Sequence, residues 1–446
     1  MSSRNRVIAG VIIGLAALCL CLVAVGTGAA AFLYLRANRA TTDRISDVPA
    51  DPVQVSAQMD TIAQEVIVMR GLQPAGEVER KLLTEEEVRQ RTLDDFNEDT
   101  TPEEWADSER TLAVLGLLPS NYDLYDILLR LYSEGVAGFY DPDTKELVVV
   151  SEEGGLNAYE KVTFAHEYNH ALQDQNYDVR GMGFSEEGWD TDSERAAAAQ
   201  ALLEGDSTLL EEQYQDTLSA AEKRDYDQIV NGFDVSIYGE LPRYLLLDFI
   251  FPYDQGLTFV RRYYDEGGWT RVGEVWKNPP VSTEQILHPE RYETGDLPIL
   301  VERPALTDTL GTGWRQMESN VMGEWYTYLI LAYGDQEGAR LSDRTASRAA
   351  EGWGGDGYVA FYNEAEDETV LALHWIWDTQ ADADEFAEAF RDYGDRRFGE
   401  SESITHGVCW SADQLNCFYT NGQHTLWVMA PNQKTVDAVL ALQPDF

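Results

Sequence analysis

The stretch TFAHEYNHALQDQ, residues 163–175, holds one intact HExxH: His166, Glu167, Tyr168, Asn169 and His170. Positions four apart on a helix share a face one turn apart, so both imidazoles can direct a ring nitrogen at a single Zn²⁺. Glu167 directly follows the first of them. That sets a carboxylate beside the metal's open position, where it can take a proton from water and pass it to a leaving amine. The flanks predict a helix, because Val162, Ala165, Ala171 and Leu172 are small or apolar and no Pro or Gly interrupts 158–175. The bland alternative is a surface helix that matches by chance. With six His in 446 residues, that is expected on the order of once in a hundred such chains.

Working outward, VAGFYDPDTKELVVVS (residues 136–151) reads as two strand-like runs, 136–140 and 146–151, joined through Asp141-Pro142-Asp143. A hairpin just before a metal-binding helix can offer an open strand edge to an extended peptide. Downstream, SERAAAAQALLEGDSTLLEEQY (residues 193–214) predicts a second helix whose alanines permit close helix approach. A catalytic zinc needs a third protein ligand, and Glu204, 34 residues after His170, is the candidate. It sits in an Ala/Leu stretch, where an unpaired charge is expensive. Glu194, Glu211 and Glu212 compete for the role. Gly205 is costly inside a helix and suggests close approach of another backbone or of the metal, a kink being the alternative.

HEYNHALQD resembles the local HExxH-A-x-x-D motif of thermolysin-like gluzincin metallopeptidases. The wider set VAGFYD, HEYNHALQDQ, ALLEGDS and PPVSTEQILHPERY, spread over residues 110–360, is similar to membrane-anchored bacterial zinc metallopeptidases of poorly known substrate. The resemblance implies a zincin-like domain with His166, His170 and Glu204 as ligands and Glu167 as catalytic base. The third-ligand element departs from thermolysin-like enzymes: its spacing from the second His is longer, and Asp206 follows Glu204 more closely than the corresponding acid does. A role for Asp206 or Asp174 in orienting a ligand His therefore stays open.

Residues 239–292 are apolar and aromatic, and LLLDFIFPYDQGLTFVRRYY predicts a buried helix broken at Pro252. His288, framed by Pro279-Pro280 and Pro289, is the candidate for a second electrophile beside a tetrahedral oxyanion, with a capping or packing histidine as the alternative; Tyr140 and Tyr253 are further donors. GWGGDGY (352–358) marks a boundary. Beyond it, strands at 358–363, 369–377, 404–410, 417–420 and 424–430 with helices at 380–395 and 432–442 predict a small α+β domain, Asn421-Gly422 turning the last two strands. Cys409 and Cys417 could join His406 and His424 in a structural zinc site. Positions 406 and 409 differ in parity and so point to opposite sheet faces, which favours a disulfide in an oxidising compartment.

Residues 7–35 form a 29-residue run without a charge, flanked by Arg4 and Arg6 and by Arg36 and Arg39, long enough to span a bilayer. A cleaved signal ending near Ala29-Ala30-Ala31 is the rival, but the run exceeds a usual signal core. Cys19 and Cys21 each follow Leu, unlike a lipoprotein signal. A short inner tail puts the rest outside. Residues 41–446 carry 29 basic against 79 acidic residues, a net −50, which repels nucleic acid.

The expected organisation is α+β: a transmembrane anchor (1–40), a linker (41–54), a helical region (55–132), a zincin-like domain (133–351) and a small α+β domain (352–446). The expected function is a single-pass, extracytoplasmic zinc metallopeptidase acting on peptide or protein substrates and held in the bilayer through residues 7–35. A non-catalytic surface binding protein and a zinc hydrolase of a non-peptide amide are the alternatives.

Overall fold

The computed structural model describes residues 52–98, 100–133, 138–150, 155–233 and 235–446. The expected anchor at 7–35 and most of the linker lie outside them. Among the described residues no helix is long and apolar enough to cross a membrane.

In chain order the elements are α1 (Pro52–Arg70), β1 (Glu79–Leu83), α2 (Glu85–Glu98), α3 (Pro102–Leu115), α4 (Leu124–Ser133), β2 (Gly138–Asp141), β3 (Glu146–Val150) and α5 (Ala158–Asn176). Then come α6 (Glu186–Thr191), α7 (Ser193–Thr217), α8 (Ala220–Val230), α9 (Arg243–Val275), α10 (Thr283–Leu287), α11 (Pro289–Thr294) and α12 (Thr307–Leu310). The remainder is β4 (Trp314–Asn320), α13 (Gly323–Tyr333), α14 (Asp343–Ala350), β5 (Trp353–Asn363), β6 (Glu368–Trp377), α15 (Gln380–Phe398), β7 (Ser401–Ile404), β8 (Gly407–Ser411), β9 (Leu415–Asn421), β10 (His424–Ala430) and α16 (Gln433–Leu440). The architecture is mixed α+β.

Two sheets divide the work. The small one has the order β1-β3-β2, with β2 antiparallel to β3 and β1 parallel to it. The expected hairpin therefore gains a third strand from a region expected to be mostly helical, and β2 lies at its edge. The large sheet runs β4-β5-β6-β10-β9-β8-β7 and is antiparallel throughout. It begins at β4, before the boundary expected at residue 352, and GWGGDGY is drawn into β5. Along β6 the odd residues Leu371, Leu373, Trp375 and Trp377 join the main core, where Trp375 and Trp377 pack on Phe386 of α15. The even residues Val370 and Ala372 face a separate cluster with Leu426, Val428, Val436 and Val439. Period-two alternation thus produces both faces. Cys409 and Cys417 stand directly opposite each other on β8 and β9 and are disulfide-bonded, while exposed His406 sits at the preceding turn with φ 60°.

The helices that position the site start where side chains satisfy their first N–H groups. Asn157 and Glu160 form a reciprocal capping box at the head of α5, and Asp192 accepts from Arg195 N at the head of α7. Helices α7 and α9 meet backbone to backbone: a Cβ on Gly205 would fall 2.2 Å from the carbonyl of Gly256, and one on Gly256 would fall 2.1 Å from Ala201 O. Gly205 therefore marks a close helix crossing, one of the readings its cost had suggested. The break expected at Pro252 is absent. α9 continues through it, and the non-helical residues are Gly267 and Gly268.

Candidate metal centre

α5 and α7 lie side by side and carry the site on facing stripes. His166, Glu167 and His170 all point inward, with ligand atoms within 4.8 Å of one another. Opposite them, Glu204 Oε2 lies 3.3 Å from His166 Nε2 and 3.4 Å from His170 Nε2. No side chain of the four is more than 2% exposed, so bulk water does not screen them.

The far ring nitrogens are held as well. His166 Nδ1 is 3.0 Å from Glu211 Oε2. His170 Nδ1 is 2.8 Å from Gln173 Oε1 and 3.2 Å from Ser207 Oγ. Because Gln173 Nε2 donates to Leu203 O and to Ser207 Oγ, its oxygen must face His170, and Nδ1 of that ring carries the hydrogen. A carboxylate on Nδ1 of His166 favours the same tautomer there. Both Nε2 lone pairs are thereby turned toward Glu204, the arrangement metal-bound histidines usually have.

The charge balance fits a cation between these groups. Burial alone would depress the His166 pKa, but Glu204 and Glu211 outweigh it and push it up to about 10. Burial would raise Glu204, and the two imidazoles instead hold it well below the usual carboxylate range. Glu204 and Glu211 thus favour a positive charge at this cluster, which a proton on His166 or a bound cation can supply. Buried His170 Nε2 has no hydrogen bond among the described residues. Two imidazoles and a carboxylate aimed at one point suit Zn²⁺, whose usual ligands they are.

Glu167 is oriented by the small sheet: Tyr140 N on edge strand β2 donates to its Oε2 at 2.8 Å. The Tyr140 hydroxyl donates to Asp174 at 2.6 Å, as does Lys145 Nζ, so Asp174 serves the hairpin. Asp206 is buried in a different network, accepting from Arg70 at 2.6 Å, Asn169 at 2.9 Å and Trp276 at 2.7 Å. It ties α1, α5, α7 and α9 together and reaches His170 through Asn169 and Ser207. The rival carboxylates are engaged elsewhere: Glu194 accepts from Thr283, and Glu212 pairs with Arg261.

Residues 309–440 match a domain of unknown function, DUF8575. That stretch covers β4 to α16 and leaves out the helices bearing His166, His170 and Glu204. No curated protein and no solved structure matches the chain.

His288 is hydrogen-bonded to a group outside this cluster. It links α10 to α11, and its Nε2 meets Glu324 of α13 at 2.8 Å, a hydrogen bond that raises its pKa. α10 packs on α7 through Thr283 and Glu194, ten residues before Glu204 and so about 15 Å away along the helix. Tyr253 lines a cavity with Gln200, Phe251, Trp325 and Tyr326. Gln200 is one turn before Glu204 on the same face of α7. The supporting residues Gln173, Ser207 and Glu211 carry a signal that motif reading overlooks: 207 and 211 follow 204 by three and seven, and 173 follows 170 by three, so each stays on the face of its parent residue.

Proposed function

We propose that the chain is a zinc-dependent hydrolase of peptide bonds, with His166, His170 and Glu204 as ligands and Glu167 as general base, carried outside a membrane by residues 7–35. The observation that carries this reading is the convergence of both Nε2 atoms on Glu204 with Glu167 alongside. Bound zinc would supply a Lewis acid for the scissile carbonyl and acidify water. The chain's own residues do the rest. Glu167, held by Tyr140 N, takes the water's proton and hands it to the leaving amine. Glu211, Gln173 and Ser207 keep both rings in the ligating tautomer. Strand β2 pairs with β3 on one side and is an edge strand among the described residues; apart from Tyr140 N, which is bonded to Glu167, its other side is where an extended peptide would add. The cavity beside Gln200 and Tyr253 offers a place for a substrate side chain.

The test is Glu167→Gln, which keeps the shape and the bond from Tyr140 N but cannot accept a proton. Zinc content and melting temperature should be retained while hydrolysis of a mixed peptide library falls at least a hundredfold. Equal activity in the variant refutes the mechanism.

One observation favours the alternative of a non-catalytic binding protein with a closed metal centre. All four side chains are buried, and structural zinc sites are closed whereas catalytic ones keep an open position. Stoichiometric zinc in the wild-type chain without hydrolysis of any peptide or amide would decide for it.

A further inference from the structure

A second cluster of metal-ligating groups lies on the outer face of the large sheet. β6 and β10 pair with Leu426 opposite His374 and His424 opposite Ile376, which puts the two histidines on one face, diagonal neighbours. His374 Nε2 is 3.0 Å from His424 Nδ1, and Asp445 Oδ2 is 3.7 Å from the same Nδ1. All three ligand atoms fall within 4.8 Å of one another. The segment after α16 is folded back to bring Asp445 there: Asn421 Nδ2 donates to Asp445 O at 2.6 Å, and the Phe446 ring packs edge-on against both imidazoles.

We propose that His374, His424 and Asp445 form a second Zn²⁺ site, a clip fastening the segment after α16 to the sheet. Zinc–imidazole bonds of about 2.0–2.1 Å at a tetrahedral centre set ligand nitrogens about 3.3 Å apart. The present spacing reaches that with a shift of a few tenths of an ångström. Asp445 is half-exposed and free to adjust its rotamer, whereas buried His374 is fixed by the sheet. Two imidazoles with one carboxylate select zinc over Ca²⁺ or Mg²⁺, which prefer oxygen ligands. The partial exposure of His424 leaves room for water as fourth ligand. A chain with 79 acidic against 33 basic residues draws cations to such a surface. The competing description is a neutral pair in which one imidazole donates to the other.

The experiment strips the full chain of metal with a chelator, reloads it with Zn²⁺ alone and counts bound zinc after desalting, for wild type, His424→Gln and Asp445→Asn. Both substitutions are at partly exposed positions and spare the core. Wild type should hold one zinc per chain more than either variant, with affinity at this site falling at least tenfold on losing a ligand. Zinc should also raise the melting temperature of wild type more than that of the variants. Equal zinc content and an equal thermal response in all three chains would overturn the clip. The comparison is independent of the proposed catalytic site, because a failed site at His166 and His170 changes the count from one to none rather than from two to one.

Discussion

At the scale of single residues, what distinguishes this centre from a chance HExxH is the treatment of each ring's far nitrogen. Glu211 both holds His166 Nδ1 and adds negative charge behind a proposed ligand, so on that proposal its loss acts on metal affinity without removing a ligand. Glu211→Gln should weaken zinc binding by about 10–100-fold while leaving one zinc per chain at saturation. Glu204→Ala should abolish binding at that site under the same conditions. Competition with a chromogenic chelator measures both. If the two variants behave alike, Glu211 is a ligand and the assignment of Glu204 fails.

Among the elements, the α7–α9 crossing is a close contact on the helix that carries Glu204. A methyl group at Gly205 would land 2.2 Å from main-chain atoms of Gly256, and backbone cannot yield as a flexible side chain does. Gly205→Ala should destabilise the fold by about 1–3 kcal/mol or more and lower zinc affinity as well, because the helix must move away carrying Glu204 with it. Chemical denaturation with and without zinc checks this. Full stability in the variant would show that the crossing is loose. The same interface explains why helix α9 survives Pro252: a proline costs about 3 kcal/mol in a helix interior, and that residue is buried in the core, where packing outweighs propensity.

For the whole molecule, the distribution of buried carboxylates sets the pH response. Burial raises Asp248 and Asp356 to about 6 and Glu318 to about 7; burial and then Glu324 raise Glu284 to about 8. A carboxyl whose folded pKa is raised above its unfolded value binds its proton more tightly in the folded state. Its contribution is complete below the unfolded pKa and is lost as pH rises through the folded one. The window from these groups runs from about pH 4 up to about pH 8, and repulsion among 79 acidic residues acts in the same direction. The metal-free chain should therefore melt at a higher temperature at pH 5 than at pH 8. A flat profile, or a maximum at pH 8, would contradict it.

Read alone, the sequence determined what depends on near neighbours. The face shared by His166 and His170, the hairpin ahead of them, the helix bearing Glu204 and most of the strands from 358 onward follow from periods of 3.6 and 2 and from turn and cap residues within a few positions. The run expected as one strand at 404–410 instead turns at His406 and pairs as two, Ser401–Ile404 and Gly407–Ser411. Only the tertiary structure decided matters of register between distant segments. Glu204 and Glu211 lie on one stripe of α7, so periodicity admits either as the group facing both Nε2 atoms; the α5–α7 register, held by Asn169 to Asp206 and Ser207 and by Gln173 to Leu203 O, sets Glu204 against them and Glu211 against Nδ1. His288 looks equally free in sequence, yet the packing of α10 and α13 brings it to Glu324. β1 acquires its strand character from pairing with β3, and β4 becomes part of the large sheet by pairing with β5. The physical reason is common to all of these: local periodicity fixes which residues share a face, while the partner that face meets is chosen by long-range packing, for which no short-range pattern exists.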